Sequence, residues 1–248
     1  MDNNAMEYSV KLPSKGVFYD FDCTEILVRS LTTADEQKIF GSSSAKTIDN
    51  VLSGCIVEPI MDINQLIPAD KHTLMMKIRI LTYGDQYKQD MFCPMCNQES
   101  EVEFSLNDIV INEMPDKIKV PLRIKLPNKD IIELKVLNCK QLDNIKTRAE
   151  KVAKNTNAPV GETQFFLRLV KRIASVNGEE LDMFEAESYA RKLSPRDRAY
   201  IDSAFKAIKL GYEGTVEVEC PRCGRIVTIP FEINTEFFNP STDDIEFI

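Results

Sequence analysis

The sequence has no tryptophan, a single histidine and no long apolar segment. A membrane-spanning helix needs about 20 consecutive apolar residues, so no contact with a membrane is predicted. Hydrolytic zinc sites usually draw on two or three histidines, and His72 alone cannot supply them. The GxxxxGK, GxSxG and HExxH sequences are also absent. These absences predict a protein that is not an enzyme, with no catalytic residues and no organic cofactor.

The composition is that of a folded protein with an acidic balance. Of the 248 residues, 43% are hydrophobic and 28% are charged, which is typical of folded rather than disordered chains. The net charge is −8, whereas a protein that binds nucleic acid without sequence preference places Lys and Arg on phosphates. Nucleic acid is therefore not the expected partner. Residues 1–8 are polar and acidic, so no secretory signal is predicted and the expected location is the cytoplasm.

Four of the seven cysteines form two CPxC sequences, at Cys93–Cys96 and Cys220–Cys223. In a chain without a secretory signal, cysteines are more often thiols or metal ligands than disulfides. Each short turn brings two thiolates within reach of one ion, and four thiolates complete a closed tetrahedral zinc site. We therefore predict structural zinc, one ion per chain, bound by Cys93, Cys96, Cys220 and Cys223.

Alternatives to a single shared zinc are left open by the sequence. If the two CPxC turns do not face each other, each pair needs two further ligands, and few are available. A thioredoxin-like redox pair would open a helix, whereas the residues after each CPxC alternate as in a strand. Free buried thiols are a third reading. His72 has Ala199 at the matching position of the repeat described next, so it is predicted to be a surface residue.

Two segments of the sequence repeat. A shift of 127 residues aligns Leu66–Asn107 with Leu193–Asn234 without a gap, including both CPxC sequences. A shift of 114 residues aligns Val10–Lys15 with Ile124–Lys129, so the second copy carries about 13 extra residues in its middle. The predicted fold class is α+β with an internal duplication. Each half is a β-hairpin start, then helices, then a CPxC zinc-knuckle hairpin.

The repeat also divides the chain into predicted segments. These are a flexible arm (1–9), a first repeat unit (10–111), a linker (112–121), a second repeat unit (122–234) and an aromatic, acidic tail (235–248). The tail contains Phe237, Phe238 and Phe247, and it could pack back on the protein or bind a partner. Both possibilities are open.

Local patterns predict the helices and strands. Helices are expected at 33–41, 47–56, 68–84, 140–154, 162–174, 182–191 and 195–210. Strands are expected at 25–31, 86–92, 99–106, 131–137, 215–219 and 226–233. The apolar stripe from Phe165 to Ile173 is interpreted as core, as is Cys55. The basic side chains of the 140–154 helix are interpreted as a solvated face.

The N-terminal sequence KLPSKGVFY at Lys11–Tyr19, the helical segments and the two CPxC turns resemble a known family. They are similar to the baseplate hub assembly proteins of T4-type contractile-tailed bacteriophages, over approximately Val10–Phe238. The resemblance implies a component or an assembly factor of the baseplate hub, with other phage baseplate or tail proteins as partners. It implies a location in the host cytoplasm during assembly, and in the tail baseplate of the virion if the protein is retained. It implies no catalytic residue.

Three functional hypotheses follow. The first is an interaction protein of a phage tail, in which zinc ties the two repeats together. The second is a nucleic-acid-binding zinc-ribbon regulator, for which Arg222 and Arg225 are the basic residues that flank either CPxC turn closely. The third is a thiol oxidoreductase, which needs a thiolate of low pKa. The oligomeric state is not predicted.

Overall fold

The computed structural model describes residues 6–41, 44–156 and 158–238. The helices in these ranges are α1 (Thr33–Phe40), α2 (Ala45–Ser53), α3 (Pro68–Tyr83), α4 (Cys139–Thr156), α5 (Val160–Arg172), α6 (Met183–Lys192) and α7 (Pro195–Ile208). The strands are β1 (Glu7–Lys11), β2 (Glu25–Arg29), β3 (Ile56–Glu58), β4 (Gln86–Cys93), β5 (Gln98–Ser105), β6 (Leu122–Lys125), β7 (Ile131–Leu134), β8 (Ile173–Val176), β9 (Glu179–Glu180), β10 (Thr215–Glu219) and β11 (Ile226–Pro230). No helix within the described ranges is long and apolar enough to cross a membrane.

The strands form four small antiparallel sheets. One sheet has the order β1-β2-β3 and another the order β6-β7-β8-β9, while β4-β5 and β10-β11 are separate two-stranded hairpins. Helices and strands are mixed along the chain, so the α+β class is confirmed.

The two halves of the chain share much of their order of elements. In each half, a β-hairpin leads into a pair of helices, a strand returns to the hairpin, and a helix that begins with proline leads into a CPxC hairpin. The second half also has β9 and α6 between its returning strand and that helix. The returning strands β3 and β8 are absent from the sequence-based prediction, which extended the preceding helices to residues 56 and 174. The helices instead end at Ser53 and Arg172. Ile56 pairs with Val28 and Ile173 pairs with Leu134, because β-branched side chains fit the pleated surface of a sheet.

One hydrogen-bond arrangement occurs in both halves. The backbone N–H of Ser14 donates to Asp70 Oδ1 at 3.0 Å, and the backbone N–H of Asn128 donates to Asp197 Oδ1 at 3.1 Å. Each acceptor lies near the start of a helix that begins with proline, and each donor lies in a turn after the first strand of its half. The residue after each donor, Lys15 or Lys129, has a positive φ. The same turn is thus attached to the same helix position twice.

The helix starts show one difference from the sequence-based prediction. The sequence Thr33-Ala34-Asp35-Glu36 has the spacing of a capping box. The N-cap of α1 is instead Thr32, whose side chain accepts a hydrogen bond from the backbone N–H of Asp35. Asp35 in turn accepts from the backbone N–H of Thr32, which satisfies two N–H groups at the helix start. Asp182-Met183-Phe184-Glu185 has the same spacing, and it forms a capping box at the start of α6.

Helix length differs between the two halves. α1 and α2 have 8 and 9 residues, whereas α4 and α5 have 18 and 13. At 1.5 Å per residue, α4 is about 27 Å long and α1 about 12 Å. The extra residues of the second half therefore lengthen a helical hairpin, whose helices pack against each other.

The apolar side chains form three buried clusters. The first joins the β1-β2-β3 sheet to α1, α2 and α3, and it also contains Phe231, Phe237 and Phe238 from the C-terminal part of the chain. The second lies between the β6-β7-β8-β9 sheet and α5, α6 and α7. The third lies between the two CPxC hairpins. Phe237 and Phe238 therefore pack back on the protein, while Phe247 lies outside the described residues.

The apolar stripe of α5 is buried along only part of its length. Leu169, Val170 and Ile173 are in the second cluster, as predicted. Phe165 is 40% exposed, so its assignment to the core is wrong. The guanidinium of Arg198 covers its ring at 4.9 Å from the centroid, which partly shields an aromatic surface that the core does not reach.

Candidate metal centre

The two CPxC turns are held by antiparallel hairpins. Cys93 is the last residue of β4 and pairs with Gln98, the first residue of β5. Glu219 at the end of β10 pairs with Ile226 at the start of β11, and the backbone N–H of Cys220 donates to the carbonyl of Arg225 at 2.9 Å. In both hairpins, strand pairing therefore fixes the backbone on each side of the cysteines.

The two turns have matching backbone geometry. The N–H of Asn97 donates to the carbonyl of Cys93 at 2.9 Å, and the N–H of Gly224 donates to the carbonyl of Cys220 at 2.8 Å. Asn97 has φ of 54° and Gly224 has φ of 66°. Asn and Gly are the residues that adopt this left-handed conformation most easily. The residue after each second cysteine therefore suits a tight turn around a metal.

Apolar side chains bring the hairpins face to face. Met91 and Val102 from the first hairpin lie in one buried cluster with Val218, Val227 and Ile229 from the second. Side chains alternate between the two faces of a strand, so these inward residues place Cys93 and Cys220 on the inner side as well. Both of these cysteines are fully buried.

The four cysteine sulfurs form one compact group. All four Sγ atoms lie within 4.8 Å of one another. The Cys93–Cys223 and Cys96–Cys220 Sγ distances are both 3.9 Å. A tetrahedral ion with Zn–S bonds of about 2.3 Å requires sulfur–sulfur distances of about 3.8 Å. The arrangement fits one four-coordinate ion between the hairpins.

Comparison with known proteins assigns the chain to a family. The family model described as T4 bacteriophage base plate protein matches residues 5–239, which is nearly the whole chain. The chain belongs to this family. No curated protein and no solved structure matches it. Membership supports a structural role in a phage tail baseplate.

The thiols of this baseplate family member are unequal in their acidity. Burial raises the pKa of Cys220, but the backbone N–H groups of Arg222 and Cys223 outweigh it and lower that pKa to about 6. Burial, followed by the neighbouring Cys93 thiol, raises the pKa of Cys96 to about 12. Four thiolates this close together repel one another, so a divalent cation would favour their ionised forms.

The remaining candidate ligands of the baseplate protein lie elsewhere. Cys23 and Cys55 are buried in the N-terminal cluster, in agreement with the core interpretation of Cys55, and Cys139 begins α4. His72 is half-buried rather than a surface residue, with its ring edge-on to Tyr212 at 5.4 Å. Among residues 6–41, 44–156 and 158–238, no second group of three or more potential metal ligands is found.

The spacing of the cysteines does not predict which sulfurs of the two hairpins lie close together in this family member. The spacing of the four cysteines was sufficient to select them, because each CPxC turn is local. The spacing within each turn does not predict that Cys93 lies near Cys223 and Cys96 near Cys220, since these distances depend on how the hairpins pack. The 127-residue repeat is the feature that pointed to a two-fold arrangement.

Proposed function

We propose that this chain is a non-enzymatic component, or an assembly factor, of the baseplate hub. It acts through protein–protein contacts, and a single structural zinc ion links its two repeats. The proposed ligands are Cys93, Cys96, Cys220 and Cys223. The observation that carries the metal proposal is the group of four sulfurs within 4.8 Å of one another, contributed by two different hairpins.

The choice of metal rests on the donor set. Four thiolates are soft ligands that suit zinc, and a site with four protein ligands leaves no open position for a substrate. Each hairpin alone provides two of the four ligands. Structural zinc contributes about 10–16 kcal/mol of apparent binding free energy, which is comparable with the whole stability of a domain. One ion would therefore hold the two hairpins at a fixed angle.

The proposed internal duplication has separate support. The N–H groups of Ser14 and Asn128 donate to Asp70 and Asp197, and apart from β9 and α6 the strands and α-helices follow the same order in both halves. Two sulfur pairs at equal distances of 3.9 Å, Cys93–Cys223 and Cys96–Cys220, are exchanged by the 127-residue repeat, as expected around a two-fold axis. We propose repeat units at 10–111 and 122–234, with 112–121 between them.

Cysteine substitution tests the metal proposal. Cys96→Ser and Cys223→Ser should each lower the zinc content of the purified protein to well below one ion per chain and lower its melting temperature by at least about 10 °C. Cys139→Ser is the matched control, because that half-buried thiol lies outside the group and should leave both values unchanged. Wild-type zinc content and melting temperature in both cluster variants would refute the proposal.

The place of the protein in the phage needs a second experiment. Affinity isolation from infected cells and from purified particles should recover other hub proteins with the chain. Recovery from cells alone would identify an assembly factor in the host cytoplasm, and recovery from particles a component of the baseplate. Recovery of neither kind of complex would contradict the hub assignment and leave the metal site untouched.

The surface of the CPxC hairpins argues against the zinc-ribbon regulator. Asp90, Glu99 and Glu101 are exposed on the first hairpin, and Glu217 and Glu219 are exposed on the second. The first hairpin therefore repels phosphates, while on the second the exposed Arg222 and Arg225 only balance the two glutamates. Binding of a short DNA or RNA duplex or single strand in a gel shift at low salt would instead support the zinc-ribbon regulator.

A further inference from the structure

Charge is distributed unevenly over the chain. The helical hairpin of α4 and α5, residues 139–172, carries eight Lys and Arg side chains and three Asp and Glu side chains, although the whole chain has a net charge of −8. The β4–β5 hairpin, residues 86–105, has one Lys and four Asp and Glu side chains. Two projecting elements of one protein therefore carry opposite charge.

The solvent-facing side of α4 is basic. The buried residues of this helix are Ile145 and Ala149. The helical repeat of 3.6 residues places four exposed basic side chains away from them, those of Lys140, Arg148, Lys151 and Lys154. None of them forms an ion pair with another residue in the described part of the chain. Asp143 and Glu150 are also exposed on α4, and against its five Lys and Arg side chains they leave the helix with a net charge of +3.

The outer face of the β4–β5 hairpin is acidic. Glu99, Glu101 and Glu103 are exposed and alternate with inward residues, so they line one face. Asp90 lies directly opposite Glu101 in the strand register, and like charges in that position destabilise a hairpin. Lys88 lies opposite Glu103, so the five charged side chains of this face have a net charge of −3. Phe92, on the same face, is 57% exposed. Contact with a basic surface would offset the repulsion and cover the phenylalanine.

We propose that α4 of one copy of this protein binds the outer face of the β4–β5 hairpin of a second copy. The two surfaces are similar in length, since an 18-residue helix and an 8-residue strand each extend about 27 Å. They are different surfaces, so the contact either pairs two copies reciprocally about a two-fold axis or continues head to tail into a ring or a filament. This inference goes beyond the proposed function and does not depend on zinc.

Charge reversal on the two surfaces tests the contact in the full-length protein. The α4 variant replaces four side chains, K140E/R148E/K151E/K154E, and the β5 variant replaces three, E99K/E101K/E103K. Sedimentation velocity should show that wild type self-associates at about 0.1 M salt and dissociates towards about 1 M salt, as the screening length falls from about 10 Å to about 3 Å. Each variant alone should associate at least about tenfold more weakly. An equimolar mixture of the two should associate again, because each variant then presents the charge that the other requires.

The control variant is K119E/K125E/K192E/K206E, which makes the same change in net charge at exposed lysines outside α4. It should associate like wild type, and circular dichroism and zinc content should be unchanged in all variants.

The proposal is overturned if wild type remains monomeric at low salt, if the control loses association as strongly as the α4 variant, or if the mixture stays monomeric. A monomeric wild type that shifts DNA through α4 would assign that face to nucleic acid instead. If a variant does not fold, the self-association of wild type at low salt and its dissociation at high salt still test the proposal.

Discussion

His72 is held neutral by its surroundings. Burial, and to a smaller extent the nearby charge of Lys71, lowers its pKa to about 4 from an ordinary value of about 6.5. Its ring contacts Tyr212 on the segment between α7 and β10, so protonation would place a charge in a contact between distant parts of the chain.

We therefore predict that His72 makes the protein less stable in acid. The unfolded chain binds this proton below about pH 6.5 and the folded protein binds it only below about pH 4, so stability falls as the pH is lowered between these values. The contribution is at most about 3 kcal/mol. His72→Phe keeps an aromatic ring beside Tyr212 and should reduce the slope of unfolding free energy against pH in urea titrations. Equal slopes in wild type and variant would show that His72 is protonated in the folded state.

Single residues differ in how well the sequence predicts them. The metal candidates were found because each CPxC turn is a local pattern with a known chemistry. Arg79 was not found, although it is 4% exposed and donates from Nε to the carbonyl of Phe237 at 2.9 Å. Three aromatic rings surround its guanidinium, from Tyr83, Tyr87 and Phe237. A buried arginine with such partners, 158 positions away in the case of Phe237, has no short-range signature.

The start of α1 distinguishes two adjacent threonines. Thr32 accepts from the N–H of Asp35 and Asp35 accepts from the N–H of Thr32, whereas Thr33 is the first helical residue. Thr32→Ala should lower the free energy of unfolding by about 1 kcal/mol. The N–H of Asp35 loses its acceptor, and the Asp35 carboxylate, which accepts from the N–H of residue 32, loses the hydroxyl that helps to orient it. Thr33→Ala is the matched control and should change it by less than about 0.5 kcal/mol. Chemical denaturation at fixed zinc concentration measures both, and a larger loss in the Thr33 variant would move the cap to the position that the sequence first indicated.

Elements were predictable where their pattern was long, and less so at their ends. The 3.6-residue pattern located every helix, because several turns contribute to the signal. The strands β3 and β8 have 3 and 4 residues and directly follow helices, so their apolar residues extended the helical pattern. Their pairing with β2 and β7 is a long-range contact that overrides local preference. The same limit applies to Phe165, whose exposure depends on where α6 and α7 lie.

The two halves are joined at several points besides the cysteines. Asn112 and Gly211 exchange backbone hydrogen bonds at 3.0 and 2.8 Å, and the N–H of Cys139 donates to the carbonyl of Leu66 at 2.9 Å. A Cβ atom at Gly211 would lie 2.8 Å from the Cβ of Ala69 on α3, so only glycine allows this approach. The repeat predicted the similarity of the halves, but none of these contacts, because they connect positions that do not match in the repeat.

Burial of the C-terminal aromatic side chains also stabilises the association of the two halves. Phe231, Phe237 and Phe238 are fully buried in the N-terminal cluster, where Phe237 lies edge-on to Phe231 and Phe238. The N-terminal half thus obtains a large part of its core from the end of the chain. Burial of such side chains is the main favourable contribution to folding. The halves are therefore expected to unfold together rather than one after the other.

Phe237→Ala tests this coupling. Removing a buried phenylalanine should cost about 3–5 kcal/mol, and native-state hydrogen exchange should show an equal loss of protection in β1–β2 and in β6–β7, although only the first sheet shares a core with Phe237. Phe184→Ala, at a side chain that is 83% exposed, is the matched control and should leave protection in both sheets unchanged. A loss confined to β1–β2 would mean that each half opens independently. In that case the metal and the contacts at Gly211 would join two separate folding units, and the C-terminal segment would stabilise only the half on which it packs.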